Sequence, residues 1–358
     1  VGCRPFRQLR PPIGTAQQRK TRRRRQQRSA TTGVGTSATM PAATHYVQQL
    51  GAFCLLVVVQ SFAILLFKLC QVSGRYTFSV PSSVCLTEVC KLVLAASFHY
   101  AYVTKERKPL FENVTPRIVL HYLGLALLYT LNNQLSFYVL EVADPGTLSL
   151  GKSLAPYLCA LALRIVGQSI HRLQWVCVVI QCCALAIVNY DVCKGAGVLP
   201  WRAYELIALS TTITATTSVW NQLVIKGFDV PINLQNSIMY AISVVIAAAS
   251  YAHEVTRPGS RETKGFLEGY TALASLLVLF QAFHGIAVSL VYRYADAIVK
   301  NFANSAVMAI LFIVSAYFFA LPTNLNSWLG VAIVLTTTYC YMDIALKLPA
   351  VEAAASAA

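Results

Sequence analysis

The fold predicted by this sequence is an all-α membrane protein with ten transmembrane helices in a five-plus-five inverted repeat. Three observations predict it. Of 358 residues, 56% are hydrophobic and 12% charged, too apolar and too poorly charged for a soluble globular chain of this length. Ten apolar runs, each about as long as a bilayer core requires, fall at roughly 48–70, 82–103, 117–139, 146–166, 173–190, 203–223, 234–252, 270–291, 299–320 and 327–346. Val142-Ala143-Asp144 leads to Lys152-Ser153, and Tyr294-Ala295-Asp296 leads to Lys300 and Ser305, each opening a span at matching places in the two halves. Five spans per half force the repeats into opposite membrane orientations.

Residues 1–39 carry ten basic and no acidic side chains, so most of the formal charge of +15 belongs to this segment. Rich in Gln, Thr and Arg and without apolar periodicity, it is expected to be a disordered basic extension, dispensable upstream of Met40. The charge is therefore no sign of nucleic-acid binding. The ten-helix core is expected over 40–347, with halves of about 48–190 and 203–346, followed by an Ala-rich disordered tail over 348–358. Cysteines fall mostly inside spans without a Cys-x-x-Cys pair, the pattern of small hydrophobes and not of a metal site. The sequence implies no metal and no cofactor.

Lys68 closes the first span, where a basic stem reaches the interface. In the second, Glu88 and Lys91 stand three residues apart on one helix face, and desolvation favours their pairing as a structural ion pair. Basic residues concentrate in the tail and in 104–117, 164–174, 224–233 and 292–300, which places both termini in the cytosol. Asn113-Val114-Thr115 is then a sequon on the cytosolic side.

The third span brings Tyr129, Asn132 and Asn133 onto one face, a phenol and two amides suited to a nucleobase edge and ribose hydroxyls, or to interhelical hydrogen bonds. In the fourth, Lys152 precedes Pro156, which removes the donor for the carbonyl of residue 152 and predicts a kink beside the cation. Trp175 anchors the fifth span at the interface. The sixth ends in Lys226. Asn236 and Tyr240 share a face of the seventh. Gly285 in the eighth marks a close helix approach, with His284 beside it as a bundle hydrogen-bonder. At the ninth, Asp296 caps the helix and faces Lys300, with Asn304 continuing the same face. Asp296 is read either as a structural partner of Lys300 or as part of a functional site.

Tyr294-Ala295-Asp296-x-Ile298-x-Lys300-x-Phe302-Ala303-x-Ser305, preceded by Arg293, resembles the signature of the Golgi and ER nucleotide-sugar transporters, in the branch carrying UDP-galactose, UDP-N-acetylglucosamine and CMP-sialic acid. The resemblance runs over about 48–346. Glu88-x-x-Lys91, the Tyr129 cluster and Asn236-x-x-x-Tyr240 are similar to family motifs, the amides of the third span being reordered to Asn132-Asn133-Gln134. The fourth span departs from the family: Leu148 and Lys152 stand at its tyrosine positions and Ala155 at its lysine, so the cation has moved one helical turn. Lys152-Ser153-Leu154-x-Pro156 looks more like the related sugar-phosphate transporters. The sixth span lacks the family's Glu before Lys226.

The resemblance implies a Golgi or ER membrane carrier, with no enzyme activity, that exchanges a nucleotide-sugar, such as UDP-galactose, for a nucleoside monophosphate by alternating access. Tyr129, Asn132, Asn133, Lys152, Asn236, Tyr240, Lys300 and Asn304 are its expected substrate-binding residues, with the two lysines on the diphosphate. The bilayer, the nucleotide-sugar and the monophosphate are its expected partners, and a homodimer stays open. A carrier of a simpler sugar phosphate and a non-transporting regulator on the same fold are the rivals. A membrane glycosyltransferase is disfavoured because the chain has no Asp-x-Asp for metal-assisted transfer.

Overall fold

A computed structural model describes residues 42–72, 75–142, 152–189, 201–256, 265–318 and 324–357. Residues 1–39 and 143–151 lie outside the described residues, and with them Ala143 and Asp144 of the expected repeat motif. The described chain forms α1 (Ala42–Leu69), β1 (Gln71–Val72), β2 (Arg75–Tyr76), α2 (Val80–Glu106), α3 (Pro116–Val142), α4 (Ala155–Ile165), α5 (Arg172–Asn189), α6 (Trp201–Gly227), α7 (Ile232–Thr256), α8 (Ala272–Tyr294), α9 (Ala297–Phe318) and α10 (Leu325–Ala357). The two strands pair antiparallel, Gln71 opposite Tyr76.

Helix boundaries follow their capping residues. Ser79 is extended and its side chain accepts from the Ser82 N–H, with Pro81 in the first turn, so α2 begins there. It ends where Arg107 turns left-handed at φ 52° and the Lys108 N–H reaches back to the Val103 carbonyl, closing the last turn. Thr271 caps α8 through the Ala274 N–H. Pro156 falls in the first turn of α4, a position where its missing N–H costs nothing. Lys152 is itself helical and residues 153–154 form a turn before α4 begins at Ala155, so the helix is interrupted beside the cation.

Six helices among the described residues are long and apolar enough to cross a membrane: Val47–Phe67, Val80–Glu106, Ile232–Thr256, Ala272–Tyr294, Ala297–Phe318 and Leu325–Ala345. Their outward faces carry large apolar side chains such as Val93, Val245 and Phe62, the distribution of a multi-pass membrane protein. At eleven residues α4 is too short to cross, and α5 is also a short apolar helix. α10 continues through 348–357, where a disordered tail was expected. Alanine has the highest intrinsic helix propensity, so an Ala-rich stretch carries on a helix already nucleated.

From Tyr46 onward the chain is one unit. Within it α2 lies along α7 and α8, α3 packs on α6 and α7, α5 pairs with α10, and α4 sits on α5, α6 and α9. The largest buried cluster gathers Tyr292, Ile298, Val299, Phe302 and Tyr341 with Cys159 and Leu163. Phe302 stacks on Tyr341 with centroids 4.4 Å apart. Much of the stretch Tyr292–Ser305 is therefore core. Close approach elsewhere relies on missing side chains: a Cβ on Gly124 would come 2.8 Å from the Trp220 ring.

A contact between distant loops joins the ends of α1–α2 to the start of α8. The Thr77 hydroxyl donates to the Gly269 carbonyl at 2.9 Å, Ser82 and Tyr270 share a hydrogen bond at 3.0 Å, and Phe78 packs on Tyr270. Gly269 holds φ at +76°, and a Cβ there would strike the Thr77 carbonyl. Burial pushes the Tyr270 phenol up, and its bond to Ser82 opposes that.

Candidate functional site

The break between α8 and α9 organises the site, because it exposes backbone groups that other elements must satisfy. Asp296 fills the N-cap role, its Oδ1 accepting from the Val299 N–H at 2.7 Å. The last turn of α6 supplies the remaining partners. Gln222 Oε1 accepts from the Ala297 N–H at 2.7 Å, Arg293 donates to the Ile225 carbonyl at 3.3 Å, and Lys226 Nζ donates to the Ala295 carbonyl. These contacts latch the end of α6 onto the break.

Among the described residues no ion pair joins Asp296 to Lys300, correcting the expectation that they are structural partners. The physical reason is the cap: the carboxylate is turned onto the first-turn N–H, and the cation acting on it is Lys226, with the Tyr341 phenol alongside. The groups that act on the Lys300 charge are instead Cys159 and Lys152. It lies deep in the bundle yet keeps accessible surface, as a side chain lining an internal space does.

Lys152 is half-buried just before α4, close enough that it and Lys300 repel each other. Across from them, Lys91 Nζ lies 2.7 Å from Glu88 Oε1 and 5.7 Å from the centroid of the Tyr240 ring. Gly285 makes room for both, since a Cβ there would sit 2.9 Å from Lys91 Cε and 3.1 Å from the Tyr240 hydroxyl. His284, next to it, feels the charges of both Lys91 and Lys300.

The polar face of α3 divides. Tyr129 is half-buried against α6, where Asn221 donates to its hydroxyl at 3.5 Å and Thr217 and Tyr292 stand close. Asn132 turns its amide onto α6 as well, donating to Thr214 at 3.2 Å and accepting from Ser210 at 3.0 Å. Asn133 lies on α3, with its side chain outside the described residues. Asn236 and Tyr240 are both buried one turn apart on α7. On α9, Asn301 spends its amide on the Ala297 carbonyl and the Cys159 sulfur. One turn beyond Lys300, Asn304 Oδ1 is buried without a hydrogen-bond partner among the described residues, as are Asn221 Oδ1 and His284 Nε2.

This arrangement holds two cations that act on each other, a phenol face and several amide and imidazole atoms without a hydrogen-bond partner among the described residues, inside an apolar bundle. It suits a polyanionic ligand that also offers hydrogen-bonding edges. A family model described as "Nucleotide-sugar transporter" matches residues 45–342.

The chain belongs to the nucleotide-sugar transporter family. A relative 29% identical over 268 residues, covering 69% of this chain and 79% of its own length, is the mouse "Probable UDP-sugar transporter protein SLC35A4". "CMP-sialic acid transporter 4" of Oryza sativa subsp. indica is 26% identical over 304 residues, covering 81% of this chain and 74% of its own. One crystal structure aligns over 86% of this chain and 99% of its own with a TM-score of 0.57 at 14% identity, a likeness of fold.

In this member of the family the signature stretch has two roles side by side. Ile298, Val299 and Phe302 are core, while Asp296 and the Ala295 carbonyl build the break and Lys300 faces inward. Sequence reasoning missed Gln222, Asn221 and the role of Lys226. The signal available for Lys226 was its position as a lone cation ending an apolar run; nothing local pairs it with a carbonyl 69 residues away.

Proposed function

We propose that this transporter exchanges a UDP-sugar, such as UDP-galactose, for a nucleoside monophosphate across the Golgi membrane, by alternating access of two inverted repeats. One observation carries the reading: Lys300, in the first turn of α9, and Lys152, just ahead of α4, act on each other inside the bundle. Two cations so placed suit a ligand with more than one negative charge, and a diphosphate bridging both supplies it. Tyr129, Asn132, Asn133, Asn236, Tyr240 and Asn304 offer the polar faces for base, ribose and sugar.

The packing supports the repeat. α2 lies on α7 and α8 as α7 lies on α2 and α3, and the last helices of the two halves, α5 and α10, pair with each other. A half-turn relating the halves interchanges these contacts. The mouse relative is named a probable UDP-sugar transporter, which favours uridine as the base. A carrier of a simpler sugar phosphate is the second reading, favoured by Lys152-Ser153-Leu154-x-Pro156.

A panel of labelled UDP-galactose, UDP-N-acetylglucosamine, CMP-sialic acid and glucose 6-phosphate, offered to the same proteoliposomes, separates the two. Uptake of a UDP-sugar alone is expected. Uptake of the sugar phosphate alone contradicts the reading.

A further inference from the structure

We propose that His284 is a specificity-determining residue, its Nε2 hydrogen-bonding the second phosphate of a nucleoside diphosphate-linked sugar between Lys300 and Lys91. The inference rests on the nucleotide-sugar reading above and goes beyond it, because it assigns the choice between one phosphate and two to one side chain.

A histidine that merely ties helices together has a partner for each buried ring nitrogen. His284 Nε2 is buried and has none among the described residues. An unsatisfied buried nitrogen costs free energy, so the bundle tolerates it where a ligand supplies the missing bond. The charges that reach this imidazole are those of Lys91, on α2, and Lys300, on α9. Both sit on flexible stems. A phosphate that draws the two ammonium groups toward itself arrives at the imidazole between them and uncovers the nitrogen.

Lys152 and Lys300 interact with each other, Lys300 with His284, and His284 with Lys91. A monophosphate held by Lys152 and Lys300 is satisfied there and leaves Nε2 as it was. The next phosphate of a diphosphate extends past Lys300 into the interval that His284 occupies. Lys91 already has Glu88 at 2.7 Å, so the imidazole supplies the bond that depends on the ligand. Gly285 lets Lys91 Cε and the Tyr240 hydroxyl approach the helix beside His284, where a side chain would otherwise stand.

The test measures binding of UDP and of UMP to the purified full chain in detergent, for wild type, His284→Ala, His284→Leu and His284→Gln. His284→Ala is expected to weaken UDP binding about 10- to 100-fold, the effect of losing a hydrogen bond to a charged group, and to leave UMP within about twofold. His284→Leu keeps the volume without the donor and carries the same expectation if the alanine variant does not fold. His284→Gln restores a donor and is expected to recover part of the UDP affinity. Equal losses for UDP and UMP, or no loss for either, overturn the assignment while leaving the transporter reading standing. A wild-type protein that binds neither nucleotide overturns both.

Discussion

Lys300 shows how a single side chain can be legible in type and misread in partner. Its position four residues after Asp296 put both on one helix face, yet the carboxylate is spent on the Val299 N–H and leaves Lys300 facing Lys152. Lys300→Ala is therefore expected to weaken nucleotide binding by about 2–5 kcal/mol, the loss typical of one partner of a buried charge pair, with little change in thermal stability. Isothermal titration with UDP checks the first part and a melting curve the second. The Glu88–Lys91 pair behaves differently. Both side chains are only 16–18% exposed, so Glu88→Ala leaves a nearly desolvated ammonium and is expected to cost on the order of 2 kcal/mol of stability. Glu88→Gln with Lys91→Met should recover much of it, and melting temperatures of the three proteins in one detergent decide the matter. Such i, i+3 arithmetic was readable from sequence because both partners share a helix. His284 was not, because its meaning depends on Lys91 and Lys300 from two other helices.

At the scale of elements, apolar runs located the helices well, from α2 through α9, because burial in lipid and burial in protein ask for the same residues. Ends were legible where a cap marked them, as at Ser79 and Thr271. Past residue 347 the Ala-rich run carries no cap that marks an end, and α10 extends to Ala357. The latch of α6 onto the α8–α9 break was illegible, since Gln222 and Ala297 lie 75 residues apart. Gln222→Ala removes the acceptor for the Ala297 N–H. If the latch holds one face of the carrier closed, a cysteine at Ala295 should react faster with a water-soluble maleimide in that variant than in its parent; equal rates would mean that the contact only packs. The opposite loop contact rests on Gly269, where Ala would be strained at φ +76° and would strike Thr77. Gly269→Ala is expected to lower stability by roughly 1–3 kcal/mol, again read from melting.

For the whole molecule, the family and its multi-pass helical character were legible from composition and from one stretch of fourteen residues, Tyr292–Ser305, that contains core, cap and cation together. What sequence could not supply was the convergence of α4 and α9 on one space, which brings Lys152 to Lys300. The proposed alternating access by two inverted repeats makes substrate exchange the central claim. Proteoliposomes containing the purified protein and loaded with UMP test it most directly. Preloaded UMP is expected to raise the initial rate of labelled UDP-galactose uptake several-fold over empty vesicles, and Lys300→Ala to abolish the difference. Uptake of UDP-galactose at the same rate with and without internal UMP would contradict exchange.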